Sequence, residues 1–149
     1  MSDGSIKGLT QLLAKIEGLK DAAPKAVAKG LYVGGLKVEE NAKRSIMSGD
    51  KHGRVYLKGK KKTIRHVASA PGEAPANDTG RLVNSIRTEA GEDVVRISAG
   101  SGAVKYATAL EFGTNKMAPR PFMGPALKDA TPFIVEQVTK AVQETLAKK

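Results

Sequence analysis

Residues 24–46 have the sequence PKAVAKGLYVGGLKVEENAKRSI and predict the longest helix in the N-terminal half of the chain. Pro24 suits a first helical turn, and Ser48-Gly49-Asp50 is expected to end the helix. Between these limits apolar residues recur on one face, namely Val27, Leu31, Val38, Ala42 and Ile46. Gly30, Gly34 and Gly35 each cost roughly 1 kcal/mol relative to alanine inside a helix. They therefore predict a close helix crossing in preference to a local bend.

Helical periodicity also appears on both sides of this stretch. An earlier amphipathic helix is predicted to end near Gly18, with an apolar stripe formed by Ile6, Leu9, Leu12, Leu13 and Ile16. From Gly124 onward the spacing predicts one long C-terminal helix, in which Pro132 is the place for a kink. A shared core is expected to include Leu31, Val38, Leu127 and Val138.

The segment between these helices predicts an antiparallel sheet. Thr79 is expected to cap a short helical turn through Leu82 and Ser85, which leads into a strand over residues 86–90. Residues 94–99 and 103–106 flank a Gly-Ser-Gly turn and predict a hairpin. The predicted fold class is α+β: an antiparallel sheet of three to four strands packed against two N-terminal helices and a long C-terminal helix.

Length and composition set limits on the architecture. A chain of 149 residues fits a single domain, here residues 1–149. The absence of cysteine excludes a disulfide framework, a thiolate zinc site and a thiol nucleophile. The N-terminus MSDGSIKGL lacks a basic segment followed by an apolar run, so no secretory signal or membrane span is expected, and synthesis should be cytoplasmic.

Basic charge is concentrated in an extended, Pro/Gly-rich segment over residues 50–77. Within it, residues 51–66 (KHGRVYLKGKKKTIRH) carry +7 without any acid, whereas the rest of the chain has 18 basic and 15 acidic residues, or +3. The basic residues are Lys51, Arg54, Lys58, Lys60, Lys61, Lys62 and Arg65. Residues 55–57 and 63–64 are predicted to pair as a short ribbon. The loop is expected to project from the body, mobile until assembly, and to meet either DNA phosphates or an acidic protein surface.

No arrangement of side chains predicts catalysis, a metal site or a cofactor. The two histidines, His52 and His66, both lie in the basic segment, and no carboxylate has ligand spacing to either. The carboxylates considered for acid catalysis are spaced irregularly and suit turns, caps or surface ion pairs: Asp50, Glu73, Asp78 and Glu111. Gly100-Ser101-Gly102 lies in a hairpin turn, which is not a phosphate-binding context. The chain is therefore predicted not to be an enzyme, and an unrecognised hydrolase is the weakest hypothesis.

Two segments have a composition that is unusually specific for loops: residues 69–86, SAPGEAPANDTGRLVNSI, and residues 106–127, YATALEFGTNKMAPRPFMGPAL. They resemble the signature blocks of the phage tail-completion family, neck components similar to gene product ten of lambda-like siphophages. The family pattern runs from SxPGxxPxxxTGxLxxSI through YAxxxEFGT to an RPF and PAL block. With the flanking helices, the resemblance covers roughly residues 5–145.

The resemblance implies a structural role at the joint between phage head and tail. Such proteins form a ring, commonly six-fold, between the head-closure (stopper) protein and the tail-tube protein, and the role requires no active site. The implied location is the virion neck, after assembly in the host cytoplasm, with the basic loop reaching a neighbouring subunit or the DNA channel. A nonspecific basic nucleic-acid-binding module is the alternative.

Residues of the second block have two interpretations. The first is local packing, with Phe112 filling the core, Gly113 taking a positive φ, and Arg120 and Phe122 leading into the last helix. The second is a subunit boundary, with contact candidates Glu111, Phe112, Arg120 and Phe122.

Overall fold

The computed structural model describes residues 4–92, 94–100 and 104–148, with side chains from residue 8 onward. Within these ranges the chain forms four helices and four short strands. In chain order they are α1 (Gly4–Met47), β1 (Val55–Lys58), β2 (Ile64–Val67), α2 (Arg81–Ser85), β3 (Arg87–Ala90), β4 (Val95–Ser98), α3 (Ala107–Phe112) and α4 (Met123–Ala147).

The N-terminal half is one helix, so the prediction of two helices separated before Pro24 was wrong. Helix α1 contains 44 residues, with Pro24 in its interior, and spans about 66 Å. An interior proline costs about 3 kcal/mol. Ala22, Ala23 and Ala26 favour the helix around Pro24, and α4 packs along α1 from about this point onward, which overrides the local preference. The predicted end at Ser48-Gly49-Asp50 is confirmed.

Helices α1 and α4 pack closely in antiparallel directions, which confirms the close crossing predicted from the glycines. A Cβ atom added to Gly30 would lie 2.6 Å from the Cα of Val138, and one added to Gly34 would lie 2.7 Å from the side chain of Ile134. Both contacts belong to one register of the two helices. In this register every fourth residue of α1 faces every fourth residue of α4. Continuing that register places Ala147, the last residue of α4, opposite about residue 21 of α1.

The four strands form two separate antiparallel pairs, so the predicted sheet of three to four strands was also wrong. β1 pairs with β2, and β3 pairs with β4. The β3–β4 pair lies against α1, where Thr88 Oγ1 donates a hydrogen bond to the Gly35 carbonyl oxygen (3.2 Å). The expected third strand at residues 103–106 lies partly outside the described residues. Because Val104 is buried and residues 105–106 form the turn that starts α3, the described part leaves the sheet.

The core lies between the second half of α1, α2 and the start of α4. Its buried members are Val38, Ala42, Ile46, Leu82, Val83, Ile86, Val104, Ala107, Phe122, Ala126 and Ala130. Of the four residues expected to share this core, only Val38 is fully buried. Leu31 and Val138 are half-buried, and Leu127 is 49% exposed because the α4 face that meets α1 runs through Ala126 and Ala130.

Replacing Gly30 with alanine tests the close approach. The added methyl group would meet backbone atoms of α4, so we expect Gly30→Ala to lower the free energy of unfolding by about 1–3 kcal/mol through overpacking, despite alanine's better helix propensity. Gly8→Ala is the matched control, because a Cβ atom there has nothing within 4 Å. It should leave stability unchanged or raise it by up to about 1 kcal/mol. Equal stabilisation by both substitutions in chemical denaturation would contradict the packing.

Candidate functional site

The basic segment forms a two-stranded ribbon, as its predicted pairing indicated. Val55 pairs with Val67 and Lys58 pairs with Ile64, and the turn at residues 59–62 is closed by the Lys62 N–H donating to the Gly59 carbonyl oxygen (3.0 Å). Gly59 adopts a φ of 87°, which glycine takes without a Cβ clash. The segment expected to be a loop therefore forms a β-hairpin with a cationic turn at its tip.

Two of the seven basic residues hold the ribbon to the body. Lys51 Nζ donates to the carbonyl oxygens of Ser45 and Ala74 (both 3.0 Å), and burial lowers the pKa of this amine. Lys58 forms an ion pair with Asp78 and lies 5.7 Å from the centre of the Tyr56 ring. The hydrogen bond from Lys58 lowers the pKa of Asp78.

The other five basic side chains of the segment are exposed: Arg54, Lys60, Lys61, Lys62 and Arg65. Within the described ranges, none of them has a carboxylate within ion-pair distance. We call these five residues the cationic set. They concentrate positive potential on one projecting element.

Glu73 fastens the base of the ribbon to the following loop. Its Oε2 accepts hydrogen bonds from the backbone N–H groups of Ala70 (2.8 Å) and His52 (3.1 Å), and its Oε1 lies 2.6 Å from His52 Nδ1. The Ala70 and His52 N–H groups, with the His52 ring, lower the pKa of Glu73 to about 2. Sequence spacing gave His52 no carboxylate partner, because Glu73 is 21 positions away in the chain. No group of three metal-ligating side chains occurs within the described ranges.

The two motif segments interlock in space. Arg120 Nε donates to the Ser69 carbonyl oxygen (3.2 Å), the Gly72 N–H donates to the Pro119 carbonyl oxygen (2.9 Å), and the Arg120 N–H donates to the Leu110 carbonyl oxygen (2.6 Å). Residues 69–72 of the first segment therefore lie against residues 119–120 of the second. The motif positions form one structural unit, although about 35 residues separate Ser69 from Tyr106 in the chain.

Glu111 caps the start of α4. Its carboxylate oxygens accept hydrogen bonds from the backbone N–H groups of Phe122 (2.8 Å), Met123 (3.0 Å) and Gly124 (2.8 Å). These N–H groups have no partner inside the helix, and the negative charge also suits the positive end of the helix dipole. The sequence alone indicated Glu111 as a subunit contact candidate, and the structure adds this intrachain role.

The two phenylalanines of the second motif segment have opposite environments. Phe122 is 1% exposed and fills the core, whereas Phe112 is 77% exposed, so the prediction that Phe112 fills the core was wrong. Phe112 is the last residue of α3, a helix of six residues in which Ala107 is buried. The two residues lie about 140° apart around the helix axis, so their side chains are on different sides of the helix. The predicted positive φ of Gly113 is confirmed at 75°.

Thr79 does not cap the helical turn that follows it. Helix α2 begins after Gly80, which has a φ of 73° and makes no side-chain cap bond. Asn77 Oδ1 accepts the Gly80 N–H instead (3.1 Å). The positive φ of Gly80 aims the chain into α2, so the loop geometry replaces the hydroxyl cap.

Two apolar surfaces lack a partner within the described chain. The first, the α1 stripe, consists of Leu9, Leu12, Leu13 and Ile16, all about half exposed, on the part of α1 that extends past the end of α4. The second, the apolar groove, is a cavity of about 430 Å³ lined mainly by Val38, Ile97, Ala107, Phe112, Met123 and Leu127. The two surfaces lie near opposite ends of α1, so one chain cannot bring them together.

Comparisons with protein-family models, with curated protein sequences and with solved structures found no match to the chain. Among the helices of the described ranges, none is both long and apolar enough to cross a membrane.

Removing the Glu111 cap should destabilise the protein without exposing new surface. Glu111→Ala is expected to lower the free energy of unfolding by about 1–2 kcal/mol, the usual cost of losing an N-terminal cap. Glu111→Gln, which keeps an acceptor oxygen, should have a smaller effect. The exposed Glu136 of α4 is the control, and Glu136→Ala should have little effect in the same denaturant titration. Equal effects at positions 111 and 136 would refute the capping role.

The low pKa of Glu73 predicts an acid-dependent contribution to stability. Because the folded-state pKa is about 2 instead of the usual 4.5, the stabilisation is fully present above about pH 4.5 and is lost as the pH falls toward 2. Glu73→Gln should lower the melting temperature at pH 5 to 7, and the difference from the wild type should shrink toward pH 2. Glu136→Gln should show no such convergence. A constant difference across this range would contradict the assignment.

Proposed function

We propose that the chain is a structural, non-enzymatic subunit of the neck of a long-tailed bacteriophage, where it forms a ring between the head-closure protein and the tail-tube protein. The observation that carries the proposal is the interlocking of the two motif segments. Ser69, Gly72, Arg120 and Phe122 are all positions of the family pattern, and each makes a backbone hydrogen bond or a core contact that joins one block to another or to the body.

The unpartnered apolar surfaces support a ring as the form of assembly. The α1 stripe has apolar residues at i, i+3, i+4 and i+7, the spacing with which a helix fills a hydrophobic groove. Stripe and groove are different surfaces near opposite ends of α1, so joining one copy's stripe to the next copy's groove is a head-to-tail contact. Contacts of this type generate rings when the rotation closes.

The same role explains why three of the four carboxylates considered for acid catalysis have structural partners. Glu111 binds the start of α4, Asp78 pairs with Lys58, and Glu73 holds the base of the ribbon. A neck subunit needs rigid placement of its loops and no turnover. The proposed location is the virion, after assembly in the host cytoplasm.

A nonspecific nucleic-acid-binding module is the second candidate function, and the cationic set favours it. The two candidates differ in the surface they require, since the ring needs the apolar stripe and groove whereas nucleic-acid binding needs only the ribbon. They can therefore be tested with separate variants.

A charge in the α1 stripe should prevent ring formation. We expect the wild type to form closed rings with increasing concentration, measured by light scattering and seen by electron microscopy, because pairing buries the stripe. Leu12→Asp should remain monomeric, since it would bury an unpaired charge. Gln11→Asp, on another face of the same turn, should still assemble. A wild type that stays monomeric at all concentrations, or equal assembly of both variants, would contradict the proposal.

A further inference from the structure

We propose that the β1–β2 ribbon is a binding site for the sugar-phosphate backbone of duplex DNA, recognised by charge without regard to base sequence. The site consists of the cationic set, with three lysines at the tip, Arg65 in β2 and Arg54 just before β1. This inference stands on the ribbon itself and does not require the ring.

The seven basic residues of the segment differ in whether they have a partner within the described chain. Lys51 and Lys58 have intrachain partners that anchor the ribbon, whereas the cationic set has no ion-pair partner within the described ranges. Five exposed cations on one short element repel one another, and exposed charges contribute little to folding. Their placement therefore suits a partner that carries a dense negative charge.

A second copy of this chain is poorly suited as the polyanion by charge alone, because each copy carries a net charge of +10. Five of its fifteen carboxylates are also engaged within the fold, namely Glu39, Glu40, Glu73, Asp78 and Glu111. Duplex DNA, by contrast, presents about one charge per 1.7 Å of its axis, whatever its sequence.

The shape of the ribbon also suits duplex DNA. A two-stranded ribbon fits the major groove of duplex DNA, which is about 12 Å wide. The strands of this ribbon pair over four residues each, and the tip turn presents Lys60, Lys61 and Lys62 beyond them. Lysine contacts to phosphate position a protein without reading bases, so we expect little sequence preference. Val55 and Leu57, which are also exposed on the ribbon, are the feature that a protein partner would use instead.

The test measures binding of the full chain to a fluorescent duplex of about 20 base pairs between about 50 and 200 mM salt. Each phosphate contact contributes about 0.9 to the slope of log affinity against log salt, so five contacts predict a slope up to about −4.5. The triple variant Lys60→Glu, Lys61→Glu, Lys62→Glu should lose at least about tenfold in affinity at the lowest salt and up to about 2.7 of the slope. Replacing the same lysines with arginine should preserve binding.

The matched control reverses three exposed lysines on and just after α4, Lys128→Glu, Lys140→Glu and Lys148→Glu, which changes the net charge equally. It should bind the duplex much more tightly than the ribbon variant, and both should melt close to the wild-type temperature. Equal losses of DNA affinity in the two triple variants would mean that only the net charge matters, and this would overturn the proposal. So would a wild type that fails to bind duplexes of two different sequences at the lowest salt, or that binds polyglutamate in preference to them. Ring formation, measured separately without DNA, is unaffected by any of these outcomes.

Discussion

The close approach of α1 and α4 is the contact on which the rest of the structure depends. Gly30 and Gly34 let the two backbones meet at Val138 and Ile134, and the same spacing of four continues along both helices. Extending the register places buried core residues on the two facing rows: Val38 opposite Ala130, Ala42 opposite Ala126, and Ile46 opposite Phe122, the residue just before α4. A core with few aromatic side chains thus gains its packing density from short interhelical distances.

The motif segments matter because they fix where α4 begins. Glu111 binds the first N–H groups of α4, and Phe122 fills the core beside them, so the start of the helix is set both by polar and by apolar contacts. Arg120, just before the helix, ties this junction to Ser69 and hence to the segment that carries the ribbon. The helix pair, the loops and the ribbon are therefore connected through a short run of residues, which gives these motif positions a structural role.

Sequence periodicity predicted the elements that depend on local spacing or on turn residues. It missed the features that depend on contacts between residues far apart in the chain. The end of α1, the strands β3 and β4, the ribbon and the length of α4 all follow from spacing or turn residues. Pro24 predicted the start of a helix, but α1 continues through it, because packing against α4 favours one continuous helix. In a helix as short as α3 the spacing cannot say which side faces inward, so Phe112 and Phe122 could not be told apart. The partners of Glu73 and Glu111 lie up to 21 residues away, where no local pattern reaches.

The charged residues of the ribbon fall into two groups, those that hold it to the body and those that are exposed to solvent. The contacts that hold the ribbon, made by Lys51, Lys58 and Glu73, lie at its base and along its strands, and Lys51 is partly withdrawn from solvent. The tip lysines lie in water, where salt screens their mutual repulsion and the fold tolerates them at little cost. The contacts that hold the ribbon do not involve the tip lysines. Changing the charge of the tip should therefore leave the ribbon attached to the body. Within the described residues the fold does not neutralise the tip charges, and this is the geometry that the proposed polyanionic partner would use.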